Sequence, residues 1–399
     1  MSFDSGSTPV SIAASASQGQ HNSMGYSATF GAASTSKIEA AICIAGQLPG
    51  LEKHFSEQTL EAAHKEYRGR LSIQRLLCEA ARANGHQCDA WSVSGDLQNV
   101  LRAAFSTTSL PTALGDAANK FVLASFSAVE STWRRLVSPR PVKDFRPTSG
   151  YRLTGDMKFE PLSPDGEIKH GRLGESSWTN RAATRARMLG ITRHDIINDD
   201  GGVFIDLAKA LGRGGALAVN DAFWKVFLDN AAFFTALRGN HIEGAGTVLS
   251  IDGLTLAEAA FRDQTDENGD PLGMEPRTLL VPNALKATAD QLMSSVGLAY
   301  GTADGMPTTN PHAGKFRVES SSYLNNPKYP GGSALAWYLL GDPEMLPAVD
   351  AVFLGGKQEP TVESADADFH QLGVQFRGYF DFGFALAEHR GGVKSKGAA

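Results

Sequence analysis

The 399-residue sequence is poor in cysteine, with only Cys43, Cys78 and Cys88 and no C-x-x-C pair among them. An odd, widely spaced set argues against a disulfide framework and for a reducing compartment, with the thiols buried or inert. Positive charge is not in excess either: 37 Lys and Arg stand against 43 Asp and Glu, a net charge of −6. No global basic field exists to draw in nucleic acid, which argues against a DNA reader. No uncharged run approaches the roughly 20 apolar residues of a membrane span. The start, "MSFDSGSTPVSIAASASQGQ", shows neither a basic n-region nor an apolar h-region. Synthesis in the cytoplasm is expected. No repeat of fixed period is visible.

What is present is globular material. A hydrophobic content of 42% and a charged content of 20% are ordinary for a folded domain, and 42 glycines with 18 prolines imply many loops. The length suits one large or two to three ordinary domains. Residues 1–36 are rich in Ser, Ala, Gly and Thr and cannot offset the entropy of ordering by themselves, so they read as a tail or arm. Two short helices follow, "SEQTLEAAHKEYRGR" from Ser56 and "SIQRLLCEAARANG" from Ser72 to the Asn84-Gly85 stop. After Leu110-Pro111 a stronger helix is expected, with Leu114, Ala118, Phe121, Ser125, Val129, Trp133 and Leu136 on one stripe and Pro139 and Pro141 as its terminators.

Residues 151–160 alternate apolar at odd positions with polar at even ones, a strand with two different faces. Ser163-Pro164-Asp165-Gly166 supplies a turn, and residues 167–178 return with three glycines and many charges. Each arm of this hairpin could reach about 30 Å yet has little to bury, and an isolated ribbon of that kind needs something to lie on. Either it folds over its own domain or it reaches a neighbouring subunit. Further on, Asn198, Asp199 and Asp200 cap a long helix whose buried face is Phe204, Leu207, Leu211, Leu217, Phe223, Trp224 and Phe227. Gly212, Gly214 and Gly215 inside it cost about 1 kcal/mol each relative to Ala, which extensive packing must offset. Residues 241–399 mix strands ("TLLVPN", "FRVESSSYL", "WYLLG", "AVFLGG", "VQFRGYFDFGFALAEH") with helices ("SIDGLTLAEAAFRDQ", "NALKATADQLMSSVG"), so the fold class is α+β.

Motifs for chemistry are almost absent. There is no G-x-S-x-G elbow, H-E-x-x-H, Walker loop or dinucleotide fingerprint. "GRGG" at 212–215 sits mid-helix without the Lys-Ser/Thr of a phosphate loop. Asp266, Asn268 and Asp270 alternate as in a calcium loop, but Pro271 stands where Gly is needed and Arg277 where the bidentate Glu is needed. A solvated acidic loop is the better account. His86 and Cys88 lack a second ligand pair, and His194 beside Asp195 reads as well as capping as it does as a general base. Lys158 and Lys169 are amines that an Asn and a carboxylate in a dry interface could turn into an isopeptide bond, although lysines on a ribbon are ordinarily solvated. No cofactor, metal or catalytic residue is expected.

The run "AAFSTTSLPTALGDAANK…AVESTWRR…DFRPTSGYRLTGD…PDGEIKHGRLGE…ITRHDIINDDGG…LGRGGALAVNDAFW" resembles the major capsid proteins of tailed phages, in their Mu-like prophage head-subunit branch. So does the closing "WYLLGDPEMLPAVDAVFLGGKQEPTVES…FRGYFDFGFALAEHRGGVKS". The resemblance covers roughly residues 50–395. It implies a Hong Kong 97-like fold: an N-terminal arm over 1–145 with short helices, an extended E-loop hairpin over 146–195, a P-domain spine helix over 196–240, an A-domain over most of 241–350, and C-terminal strands of 351–399 returning to the P-domain.

It also implies that the chain is no enzyme and that it assembles with copies of itself, as pentamers and hexamers, into an icosahedral shell around double-stranded DNA. On this reading Lys158, Glu160, Asp165, Glu167, Lys169, Arg172 and Glu175 of the E-loop are the candidate inter-subunit contacts. Phe204, Leu207, Leu211, Phe223, Trp224 and Phe227 are the spine-helix core. Residues 1–100 show no Ser, His and Asp protease arrangement, so portal, scaffold and maturation protease are expected as separate proteins, or residues 1–100 do the scaffolding. DNA is contacted weakly and non-specifically, no membrane is involved, and assembly takes place in the bacterial host cytoplasm before the protein resides in the virion capsid. The alternatives are an encapsulin-like compartment shell, or a hydrolase built around His194, Asp195 and Asp199.

Overall fold

The computed structural model describes residues 32–67, 72–88, 95–106, 109–155, 173–198, 201–266, 269–298, 308–366 and 373–397. It opens with helix α1 (Ala32–Ala45), inside the stretch whose beginning reads as a tail. Its composition is Ala- and Ser-rich, but Ile38, Ile42 and Cys43 are buried in a helical core, so tertiary contact and not local pattern holds it. Helices α2 (Glu57–Tyr67) and α3 (Ile73–Ala83) follow where expected. The Ser72 hydroxyl accepts from the Arg75 amide, and Gly85 at φ +86 stops α3.

That reversal corrects the reading of the cysteines, because it lays residue 88 back against α3. Cys78 and Cys88 form a disulfide, with Cα atoms 5.4 Å apart. Cys43 alone fits the inert-thiol expectation: burial first, then the nearby Glu39 carboxylate, pushes its pKa up to about 12.

Helices α4 (Leu97–Ala104) and α5 (Ser109–Ser127) complete the N-terminal layer. The stripe expected to run from Leu114 to Leu136 on one helix stops at Ser127; Trp133 belongs to a separate 3-10 turn, Thr132–Arg135. Pro139 and Pro141 are not terminators. They lie in strand β1 (Val137–Val142), the outermost strand of a sheet, where a missing N–H costs no ladder bond.

The ribbon strands β2 (Thr148–Gly155) and β3 (Leu173–Asn180) come next, then β4 (Ala183–Thr192) and the one-turn helix α6 (Arg193–Ile197). The long helix is α7 (Gly201–Leu228), shorter than the 196–240 expected for it. It ends where Asn230 folds into a turn, its Oδ1 accepting from Ala232 N at 3.2 Å. A Cβ on Gly331 would stand 1.9 Å from the Leu228 carbonyl, so the neighbouring loop also seals this terminus.

The first half of α7 contributes Phe204 and Leu211 to the helical core, with half-buried Leu207 packed against it. The second half carries Phe223, Trp224 and Phe227 into a separate aromatic core. Leu217 is the exception to the expected face, 43% exposed, because it falls where α7 passes from one core to the next. Gly212 is explained by close approach: an added Cβ would meet the Val122 carbonyl of α5 at 2.3 Å. The helix-propensity cost of this glycine is offset by α5 packing directly on the α7 backbone.

The rest of the chain runs β5 (His241–Ile242), α8 (Ile251–Arg262), β6 (Thr278–Pro282), α9 (Lys286–Ser294), β7 (Gly297–Leu298), β8 (Thr308–Thr309), β9 (Arg317–Ser321) and β10 (Trp337–Leu340). It closes with β11 (Val349–Leu354), β12 (Thr361–Asp366), β13 (Gly373–Leu386) and β14 (Gly392–Ser395). One five-stranded sheet has the order β1-β11-β13-β12, with β4 also paired to β13; a second has the order β5-β14-β10-β6-β9.

The final strands therefore divide. β11, β12 and β13 join the sheet that packs on α7, but β14 is inserted in the other sheet between β5 and β10. The second sheet is buried on both faces, and period-two alternation sorts its side chains. Leu279, Val281, Trp337 and Leu339 face the α8 and α9 layer, while Leu280, Tyr338 and Leu340 join the aromatic core of α7. Mixed helix and strand in these two sheets make the fold α+β, as expected.

Candidate assembly surface

Strands β2 and β3 pair antiparallel over eight positions, from Thr148↔Asn180 to Gly155↔Leu173. None of the ribbon residues whose side chains are described, 148–151 and 177–180, enters a hydrophobic core cluster. Tyr151 is 65% exposed. One internal contact stiffens the ribbon: the Trp178 ring lies over Gly150, where any Cβ would stand 2.4 Å from the indole. Of the candidate contact residues, Glu175 sits in β3 opposite Leu153. Lys158, Glu160, Asp165, Glu167, Lys169 and Arg172, and the expected turn at 163–166, lie outside the described residues.

Beside the ribbon, β4 pairs only with β13 among the described strands, so its other edge is open. Residues 183–188 are exposed, including Met188 at 58%. An open edge is a template for pairing with another chain, and charges such as Arg185 and Arg187 restrict what may dock there. Arg185 also covers the Phe382 ring at 4.3 Å, and burial lowers its pKa from the ordinary guanidinium value.

Residues considered for chemistry have structural employment. The Asp195 carboxylate accepts from the Thr192 amide at 2.8 Å and its hydroxyl at 2.7 Å, a reciprocal capping box at the start of α6. These bonds hold its pKa below the usual range. His194 is exposed, and Asp199 lies outside the described residues. Asp266 Oδ1 accepts from Asp270 N at 2.9 Å, which is turn chemistry, and Asn268 is outside the described residues. Among the described residues no group of His, Cys, Asp and Glu could hold a metal ion.

Enclosed cavities such as those of about 30 Å³ and 60 Å³ are far too small for a substrate. A wider groove of about 620 Å³ between α5 and α7 is open and shallow, lined by Lys209, Arg213 and the exposed Leu217. Lys209 is already engaged there, donating to the Gly46 carbonyl at 3.2 Å.

The most developed polar cluster lies between α8 and the loop after β8. Glu258 is 8% exposed and accepts from Lys315 Nζ at 3.0 Å and Arg262 Nε at 3.0 Å. His312 Nδ1 is 3.4 Å from the same carboxylate, and His312 Nε2 is 2.9 Å from the Thr255 hydroxyl. At 2% exposure His312 is out of reach of any substrate. Burial alone would raise the Glu258 pKa, but the Lys315 bond and charge, with Arg262 and His312, outweigh it and hold the group below its ordinary 4.5.

A depressed carboxylate contributes stability above its unfolded pKa, lost as pH falls through the folded one. Burial depresses His312 as well, so protonation in the unfolded state works in the same direction below its ordinary 6.5. Thermal melting of the subunit is therefore expected to show falling stability on acidification from about pH 6.5 downward, with the Glu258 part confined to pH below about 4.5. Glu258→Gln should flatten the lower part of that slope. An unchanged slope would show that the cluster does not couple to folding.

The ribbon and the edge of β4 are open among the described residues, and the sequence comparison says what kind of protein carries them. A family model described as phage capsid protein matches residues 178–395, more than half of the chain. The chain belongs to the phage capsid protein family. That match spans β4, α7, the second sheet and every strand of the first sheet except β1. Comparison with curated proteins finds no match.

Among solved structures, the chain is similar to one titled for Gordonia phage Cozz, at 13% identity and a TM-score of 0.44, covering 68% of this chain and 87% of that one. It is also similar to one from Mycobacterium phage Ogopogo, at 11% identity and 0.42, covering 66% and 91%. A third is a virus-like particle from Pyrococcus furiosus, at 11% identity and 0.41, covering 70% and 98%. As a phage capsid protein the chain is a structural component and not an enzyme. No described helix is long and apolar enough to cross a membrane.

Sequence reasoning located the ribbon and the aromatic face of α7 but missed what anchors the ribbon. At its foot Asn180 is 3% exposed, and its Nδ2 donates to the Asp350 carbonyl at 3.1 Å and to Asp350 Oδ2 at 2.9 Å. Arg140 of β1 grips the same carboxylate with Nε at 2.7 Å and Nη2 at 2.8 Å. These partners are 170 and 210 residues from Asp350 along the chain, and no local signal announces them.

Proposed function

We propose that this phage capsid protein is the major head subunit of a tailed phage, with a Hong Kong 97-like fold of the Mu-like branch. It assembles as pentamers and hexamers into an icosahedral shell enclosing double-stranded DNA, in the cytoplasm of the bacterial host. Portal, scaffold and maturation protease are separate proteins on this reading. Residues 1–145 form the arm side, the ribbon within 146–195 the E-loop, the region of 196–240 the spine and 241–350 mainly the axial domain.

The observation that carries the proposal is the ribbon itself: eight residue pairs, of which the described side chains, those of 148–151 and 177–180, give nothing to the chain's own hydrophobic cores. Such a structure is marginal alone and gains its stability by lying on another subunit. Repeated head to tail, that contact closes into rings and, with curvature, into a shell. The net charge of −6 suits a wall that must not hold packaged DNA tightly. No covalent crosslink through Lys158 or Lys169 is expected on this reading, so denaturing gels of mature particles should show monomers.

Negative-stain microscopy and sedimentation of the expressed chain test it. Closed, uniform particles are expected. A compact monomer at high protein concentration would overturn the proposal.

A further inference from the structure

We propose that Asn180, Asp350 and Arg140 form a clamp that fixes the direction in which the β2–β3 ribbon leaves the body, and that uniform shell curvature depends on that clamp. The inference rests on the assembly reading above and adds a positioning role to three side chains.

The ribbon joins the body through two connections, and they are unequal. Residues 143–147, between β1 and β2, are all exposed; the side-chain hydrogen bond described within them is Asp144 Oδ1 accepting from Arg146 N at 3.0 Å, inside the segment itself. The returning connection is fastened. Asn180, the partner of Thr148 in the first ribbon pair, has both ends of its amide engaged: Nδ2 on Asp350, and Oδ1 accepting from Arg181 N at 2.8 Å.

Asp350 is 2% exposed in β11 and is held from the other side by the two-pronged Arg140. Gly383 of β13 completes the seat, since a Cβ there would stand 2.0 Å from the Arg181 carbonyl and 3.0 Å from Asn180 Oδ1. Three strands of one sheet, β1, β11 and β13, thus meet at the ribbon's foot.

A buried polar group with every bond made accepts one geometry, and neighbouring geometries leave an unpaired amide or carboxylate. A small angular change at the foot is magnified along an arm of ribbon. Because the same contact repeats around every ring, loss of a single direction would be expressed as irregular curvature more than as lost folding.

The test compares the full chain with Asn180→Ala, each carrying spin labels at Tyr151→Cys on the ribbon and Lys357→Cys on the body. Asn180→Ala is expected to give an interlabel distance distribution roughly twice as broad, with a melting temperature close to the parent's, because local opening needs no global unfolding. Its particles are expected to be irregular or open under negative stain. An unchanged distribution, or uniform closed shells, would overturn the clamp.

Should Asn180→Ala fail to fold, Arg140→Lys keeps the charge but loses the fork, and the same broadening is expected of it. If the parent chain forms no shells at all, the assembly reading fails, while the distance measurement still decides the clamp.

Discussion

Replacing residues 156–172 with an Asn-Gly turn is expected to leave a folded subunit that forms no closed shells. The register makes the substitution clean, because Gly155 and Leu173 are the last described ribbon pair and a two-residue turn can join them without disturbing the ladder. Folding should survive, since the buried clusters are built from α1–α5, α7, the two sheets, α8 and α9, and none of the described ribbon side chains belongs to them. Circular dichroism should therefore give a near-parental melting curve. Assembly should not survive, because the shortened ribbon cannot reach across to a neighbour, and in a ring of identical subunits the same defect recurs at every interface. Light scattering and microscopy decide the matter. Normal-sized particles from the shortened protein would assign the ribbon to its own subunit and remove the main support for the assembly proposal.

The second large effect lies in α7. Phe223→Ala is expected to lower the unfolding free energy by about 3–5 kcal/mol, the usual cost of emptying an aromatic site in a core. Phe223 has no exposed surface and meets Trp224 at 4.9 Å, Phe227 at 5.8 Å and Phe384 at 5.6 Å between ring centroids. The last of these neighbours ties the helix to β13, so the void would open between two layers that cannot collapse freely. Leu217→Ala, earlier on the same helix, should change stability by no more than about 0.5 kcal/mol, as exposed substitutions ordinarily do. Chemical denaturation of the two variants side by side measures the contrast. Equal effects would mean that α7 is not divided between two cores as described.

That contrast marks what a helical stripe can and cannot convey. The apolar pattern of the helix identified Phe204, Leu211, Phe223, Trp224 and Phe227 as inward-facing, and the structure buries all five. Spacing also included Leu217, since it cannot register that one helix hands over from an N-terminal helical layer to a sheet along its length. The same blindness let the stripe of α5 run on through Trp133 to Leu136. Both are buried, but on a different element, a 3-10 turn that leads into β1. Local end signals fared better at α3, where Ser72 caps the start and Gly85 the stop, because a cap is a bond between near neighbours.

The sequence by itself determined the α+β class and the positions of most strands and helices after residue 56, the two ribbon strands among them, since each is written in short-range periodicity or residue type. Tertiary structure alone decided that α1 is a core helix, that Cys78 reaches Cys88, that Gly212 admits α5, that β14 crosses to the second sheet and that Asn180 finds Asp350 and Arg140. Each of these is a meeting of groups brought together by the path of the whole chain. Side-chain periodicity reports which face of an element is apolar, whereas the identity of what covers that face is fixed only when all the layers have packed.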